Sequence, residues 1–213
     1  MTPFRPFVGF IVEGFGEFNS YRSILSRGLS RDTRDLPINN AAGWGTLVAR
    51  LEEKIEELVI TWHPIHVIVT ADARDAKYSC HTFKGDLQRR ADCWLDAHGM
   101  DARCIPLPDT ISIVIQDRAF ETWLIADLEG LRLAKNDVSV EPRPPWRNVD
   151  LEEPHPADWL RERLRQDYHL KDPFLAKRLA KHIEASRMAA CSRSFRKFWK
   201  EVRRAMLDAG RSY

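Results

Sequence analysis

Phe7-Val-Gly-Phe-Ile-Val12, followed at once by Glu13-Gly-Phe-Gly-Glu17, is the stretch on which the fold turns. Six apolar or small residues run without interruption into an acid and a glycine, which predicts a strand buried on both faces entering a tight turn. Phe18, Tyr21, Ile24, Leu25 and Leu29 then recur at helical spacing. The same alternation continues downstream. Arg34–Asn39 reads as a weak second strand, and Thr46–Trp62 as one amphipathic helix with Leu47, Leu51, Ile55, Leu58 and Trp62 on one side. Ile65–Thr70 is a β-branched run that stops at Asp72, and Thr82–His98 is a helix closed by Gly99. Strands around Arg103–Leu107 and Ile111–Ile115 follow, then a helix from Arg118 to Leu131. Strand alternating with helix predicts an α/β fold, a mainly parallel sheet with flanking helices. Such sheets bind ligands at the carboxyl ends of their strands, where Glu13 and Asp72 both fall.

Five prolines between residues 136 and 157 interrupt this pattern, and beyond them only helices are expected: Pro156–Tyr168, a helix opened by Asp172-Pro173 and running to Met188, and a last one from Ser194. The expected organisation is an α/β domain over 1–135, a proline-rich linker or loop over 136–157, and a basic helical C-terminal region over 158–213. Charge divides along the same line. Residues 1–150 hold 18 Lys/Arg against 22 Asp/Glu, and residues 151–213 hold 15 against 9, so the two parts meet a charged partner differently.

At 44% hydrophobic residues the 213-residue chain has material for a real core, yet no apolar run approaches the roughly 18 residues a membrane span needs. Cys80, Cys93, Cys104 and Cys191 show neither a CxxC pair nor zinc-ligand spacing, which fits reduced thiols in a cytoplasmic protein. The seven histidines form no HxH or HExxH pattern, and no GxxxxGK[ST] loop is present, so zinc chemistry and a P-loop are set aside.

The acids Glu13, Glu17, Asp72, Asp75 and Glu121 are the candidate catalytic residues, with Glu13, Asp72 and Asp75 the candidate metal ligands. Hard oxygen donors at neighbouring strand ends suit Mg2+ or Mn2+, which takes one or two carboxylates and keeps several waters. The plainer alternatives stay open: Glu17 as an acid favouring a helix N-terminus, Asp75 as a turn residue, and Glu121 as an exposed acid beside Phe120 and Trp123. Near the C-terminus, Arg193, Arg196, Lys197, Lys200 and Arg203 flank an apolar stripe of Phe195, Phe198, Trp199 and Val202. With Lys84 they are the candidate nucleic-acid ligands, a solvated charged face being the alternative.

Val12–Glu17 (VEGFGE) resembles the VEG-x-x-E motif that opens many TOPRIM-like (topoisomerase–primase type) proteins. Asp72-Ala-Arg-Asp75 with Cys80 and Lys84 resembles the D-x-D, then C and K, of one bacterial group, domain of unknown function 4276. The CIPLP stretch after Arg103, the RAFETWLIAD segment and the tail PFLAKRLAKHIEASRMAACSRSFRKFW are similar to further elements of that group, in the same order. The resemblance implies a TOPRIM/Rossmann-like fold, Glu13 as general acid/base or metal ligand, Asp72 as metal ligand, and a magnesium-dependent nuclease. It also implies a place in anti-phage (antiviral) defence beside an ATPase partner of the ABC/AAA type. One departure stands out, Arg74 where D-x-D carries its second acid, so that Asp75 is the acid expected to substitute. The rival expectation is a non-catalytic interaction subunit that binds an ATPase or nucleic acid.

Overall fold

The computed structural model describes residues 7–29, 36–73, 80–99, 107–134, 146–164 and 173–209. Four strands, β1 (Val8–Val12), β2 (Ile38–Asn40), β3 (His66–Asp72) and β4 (Thr110–Gln116), form a wholly parallel sheet in the order β2-β1-β3-β4. The α/β expectation holds. The chain first steps outward from β1 to β2, then crosses back to build β3 and β4 on the other side. The reversal therefore falls between β1 and β3, and that is the switch point at which open α/β sheets leave a crevice.

Because successive strand residues face opposite ways, β1 and β3 serve two cores. Phe10, Val12, Ile68 and Val114 meet Tyr21, Ile24 and Leu25 of α1 (Phe15–Leu29) together with Phe195, Phe198 and Val202 of α11 (Arg193–Ala209). On the opposite face Ile11, Val67, Val69 and Ile113 meet α2 (Trp44–Ala49), α3 (Leu51–Trp62) and α4 (Cys80–Gly99). Helices on both faces explain why the strand sequences read as continuous apolar runs rather than alternating ones.

Three expected helices are each split in two. Thr46–Trp62 breaks at Arg50, whose backbone (φ −124°, ψ 31°) ends α2 and starts α3. Arg118–Leu131 becomes α5 (Phe120–Ile125) and α6 (Leu128–Ala134), because buried Asp127 turns from helix former to N-cap, its Oδ1 accepting the Gly130 N–H at 3.0 Å. The helix opened at Pro173 ends at Ala180 as α9, and α10 (Ala185–Cys191) begins after Glu184, whose N–H donates to Asp127 Oδ2 at 2.7 Å. Between them, α7 (Val149–Glu152) lies inside the proline-rich stretch and α8 (Pro156–Arg163) follows it. The expected strand at 103–107 lies almost wholly outside the described residues, as do 135–145 of the expected linker. Phe198 lies 6.0 Å, centroid to centroid, from Phe10 of β1 and 5.3 Å from Tyr21. No helix among the described residues is long and apolar enough to cross a membrane.

Candidate functional site

Three carboxyl groups are buried at the switch point: Glu13 just past β1 (2% exposed), Glu17 in the first turn of α1 (4%) and Asp72, the last residue of β3 (3%). The backbone puts them there. Glu13 Oε2 accepts the Asp72 N–H at 3.0 Å and ties the end of β1 to the end of β3. Glu17 reaches back to Gly14, whose N–H donates to Oε2 at 2.6 Å, the return arm of a capping box. Helix cap and site are therefore the same side chain. Gln116, the register partner of Asp72, donates from Nε2 to Glu17 Oε1 at 2.8 Å and to the Tyr21 hydroxyl at 3.1 Å. Tyr21 in turn donates to Thr70 Oγ1 at 3.0 Å.

Burial, then the charges of Asp72 and Glu13, raise the Glu17 pKa well above the ordinary carboxylate value; the bonds from Gly14 and Gln116 offset only part of this. Burial and the Glu17 charge likewise hold Tyr21 as a neutral phenol. A divalent cation fits this chemistry. Every donor is a hard oxygen, the acids raise one another's cost of ionisation, which a bound cation would offset, and Gln116 Oε1 is a buried acceptor with no hydrogen-bond partner among the described residues. Among the described residues no three His, Cys, Asp or Glu side chains form a ready cage for an ion. Glu13 and Asp72 are the residues that could hold an ion of the magnesium type, which takes one or two carboxylates and keeps several waters.

A second polar group lies beside the first. Asp117 follows Gln116, and burial and then Asp150 raise its pKa, while Lys197 and Arg193 pull it down. It hydrogen-bonds the Cys80 thiol, whose own pKa rises, chiefly through burial. Arg118, next in line, has a left-handed backbone (φ 75°), an uncommon state for a long side chain, and its Nε donates to the Asp150 carbonyl at 3.1 Å. Asp150 itself accepts from Ser192 Oγ (2.8 Å), Ser194 N (2.6 Å) and Ser194 Oγ (3.0 Å), and so anchors the start of α11. From Asp117 a cleft of about 1060 Å³ runs along β4 between α4 and α11.

The structure brings together Glu13, Glu17 and Asp72 of the expected acids. Asp75 lies outside the described residues, as does Arg74. Glu121 is partly exposed on the first turn of α5, whose contact with the core is carried by Phe120 and Trp123. Of the expected basic residues, Lys84, Arg193, Lys197 and Lys200 line the cleft. Arg196 instead folds onto the Ala189 and Ala190 carbonyls at 2.7 and 3.1 Å, and Arg203 is exposed on α11 outside the cleft lining. Sequence reading missed Gln116, Tyr21 and Asp117. The available signal was Gln116-Asp117 closing an apolar run, as Asp72 closes the previous one.

A family model described as "Domain of unknown function (DUF4276)" matches residues 12–203. No curated protein matches the chain. Among solved structures, the C-terminal region of the Xanthomonas campestris pv. campestris OLD protein is similar at TM-score 0.47 and 14% identity, covering 98% of this chain and 100% of that one. The C-terminal region of the Burkholderia pseudomallei OLD protein is similar at TM-score 0.37 and 12% identity, covering 90% and 92%.

Proposed function

The chain belongs to the DUF4276 family, and from that premise we propose that it is a TOPRIM-like, Mg2+- or Mn2+-dependent enzyme acting on nucleic acid phosphodiesters. The observation that carries the reading is the buried cluster of Glu13, Glu17 and Asp72 at the β1/β3 switch point. A structural role alone accounts poorly for three acids in one buried place, since each raises the cost of ionising the others. Perturbed carboxyls in a crevice mark functional sites. Glu13 and Asp72 would hold the ion, with Asp75 as a further candidate. When bound, the cation would polarise a phosphoryl oxygen and help orient a water.

The chain's own residues have separate tasks in this reading. Glu13, fixed on the Asp72 N–H, exchanges a proton with the attacking or leaving oxygen. Glu17 keeps its proton to higher pH than an ordinary carboxyl when the site is empty, and Gln116, itself bonded to Tyr21, holds its orientation. The cations Arg193, Lys197, Lys200 and Lys84 meet phosphates. An ATPase partner and a role in anti-phage defence belong to the same proposal and rest on family resemblance alone.

A non-catalytic interaction subunit is the second reading, favoured by Arg74 at the place of an expected acid and by the lack of a ready cage among the described residues. Cleavage of plasmid DNA and labelled RNA with Mg2+ or Mn2+, beside Glu13→Ala and Asp72→Ala, separates the two. The enzyme reading expects metal-dependent cleavage lost in both variants, and a rise in Tm when metal is added. No cleavage and no metal-induced rise would transfer the assignment to the interaction subunit.

A further inference from the structure

The turn that leads from β2 into α2 carries two hydrogen-bond donors for which the fold has no use. Asn40 Oδ1 accepts the Ala42 N–H at 2.8 Å, which fixes the way the amide lies and turns Nδ2 away from that bond. Nδ2 is a buried atom with no hydrogen-bond partner among the described residues. The same holds for Trp44 Nε1, in the same turn. An indole can only donate, and the free end of the Asn40 amide is its NH2 group. Buried donors are nearly always paired, because one left unmade costs free energy. Two in one short turn call for an acceptor from outside the chain.

That turn is bonded directly to the backbone of the carboxylate site. Asn40 is the register partner of Val12. The Ala41 N–H donates to the Val12 carbonyl at 2.9 Å, and the Gly43 N–H to the Glu13 carbonyl at 2.7 Å. From there α2 packs against β3, the strand that Asp72 ends. The Trp44 ring stacks on Phe83 in the first turn of α4, 5.8 Å away between centroids. The turn thus flanks Glu13 on the β2 side, and its outer surface is open: a Cβ at Gly43 or Gly45 would meet nothing within 4 Å. Gly43 needs glycine for its φ of 120°. Gly45 has no such need, and its bare backbone leaves room for a ligand to come close.

Residues 36–49 include no charged side chain, whereas Arg193, Lys197, Lys200 and Lys84 lie on the β4 side. We propose that Trp44 Nε1 and Asp72's neighbouring-strand residue Asn40, through Nδ2, donate to sugar–phosphate oxygens of the nucleotide next to the bond being cut, so that the β2–α2 turn positions the strand by uncharged contacts. The inference rests on the phosphodiester reading of the carboxylate site and adds two substrate contacts to it. One face of Trp44 is taken up by Phe83, so the N–H rather than the ring is what the turn offers a ligand. Contacts to sugar and phosphate carry no sequence information, and the turn therefore fixes the register of the strand rather than the choice of base.

Trp44→Phe keeps an aromatic ring beside Phe83 and removes the N–H, and Asn40→Ser keeps an oxygen for the Ala42 N–H while removing the amide. Binding of labelled oligo(dT) and oligo(U) is measured by fluorescence polarisation in EDTA, so no cleavage is needed, from roughly 50 to 200 mM salt. One lost hydrogen bond predicts about 2- to 10-fold weaker binding in each variant. An uncharged donor displaces no counterion, so log K against log salt should run parallel to the wild type, where loss of a cation contact would flatten the slope by about 0.7. Tm checks the fold, and if Trp44→Phe loses stability, Asn40→Ser decides. Wild-type affinity in the folded variants, or a changed salt slope, would overturn the proposal. So would a wild-type protein that binds neither oligonucleotide, which would assign the two donors to carbonyl groups of a protein partner. Weaker binding in the variants, with no metal-dependent cleavage by the wild type, would sink the enzyme reading and leave the contacts standing. Metal-dependent cleavage with unchanged binding and kcat/KM in both variants would do the reverse.

Discussion

Replacing Glu17 with glutamine should stabilise the metal-free protein at neutral pH, against the usual effect of altering a buried, hydrogen-bonded residue. Glu17 is buried beside Asp72 and Glu13, and its folded-state pKa is raised. The folded protein therefore keeps a proton that the unfolded chain loses above about pH 4.3. In that window the unfolded state binds fewer protons, so stability falls as pH rises, by about 1.4 kcal/mol per pH unit until the folded pKa is passed. Below the unfolded value the penalty is absent. Glutamine has no such titration. It also keeps the local bonds: its carbonyl can accept from Gly14 N–H, and a turned-over Gln116 amide can present its unpartnered Oε1 to the new NH2 group. Any bond lost in that exchange costs about 1 kcal/mol. Urea unfolding in EDTA at several pH values, for both proteins, gives the test. Asp117, raised chiefly by burial, adds a slope of the same sign, and His66, lowered chiefly by burial, adds stability lost as pH falls. Both are present in both proteins and cancel in the difference. Parallel curves for the two proteins would refute the argument, because Glu17 would then carry no strained proton.

Asp127→Ala should cost about 2–3 kcal/mol in urea unfolding, since the Gly130 and Glu184 N–H groups and the Arg187 guanidinium (Nε 2.6 Å from Oδ1) lose a shared acceptor. The loss stays below that of a fully buried pair because Arg187 is partly exposed and also meets Glu184 at 3.2 Å. Gly28→Val should lower Tm by several degrees, because a Cβ at that position falls 2.5 Å from the Trp199 ring and 2.8 Å from Ala185, and overpacking costs about 1–3 kcal/mol. Asp150→Ala should loosen the start of α11 at a similar cost, and hydrogen exchange should show it first at Ser194 and Phe195.

The strands β1, β3 and β4 were legible because a strand covered on both faces has to be mainly apolar, and FVGFIV, IHVIVTA and ISIVI are, with His66, Thr70 and Ser112 the exceptions. Glu13 and Asp72 were legible for the same reason, as the acids that end such runs. The helix breaks were not. Leu47, Leu51, Ile55 and Leu58 keep helical spacing straight across Arg50, so nothing in the pattern marks the kink, and Trp62, expected on the buried side, is 45% exposed. Asp127 carried a cap's chemistry inside an apolar segment and was read through. Tyr21 looked like an ordinary stripe residue; its hydroxyl matters only because Thr70 and Gln116 arrive from strands 49 and 95 residues away. The cleft was invisible for a related reason. Its cations were legible as a basic stripe, but a wall needs an opposite wall, and α4 is separated from α11 by nearly a hundred residues of sequence.

The packing of Phe198 against Phe10 and Tyr21 has a consequence for synthesis. β1 and the first turns of α1 complete their core only when α11, far later in the chain, has been made. Contacts of such long sequence separation form slowly and leave apolar surface open in the meantime. The network from Tyr21 through Gln116 to Glu17 is held under that same aromatic layer. A chain still lacking α11 therefore carries Glu13, Glu17 and Asp72 without the aromatic layer that orders the network around them.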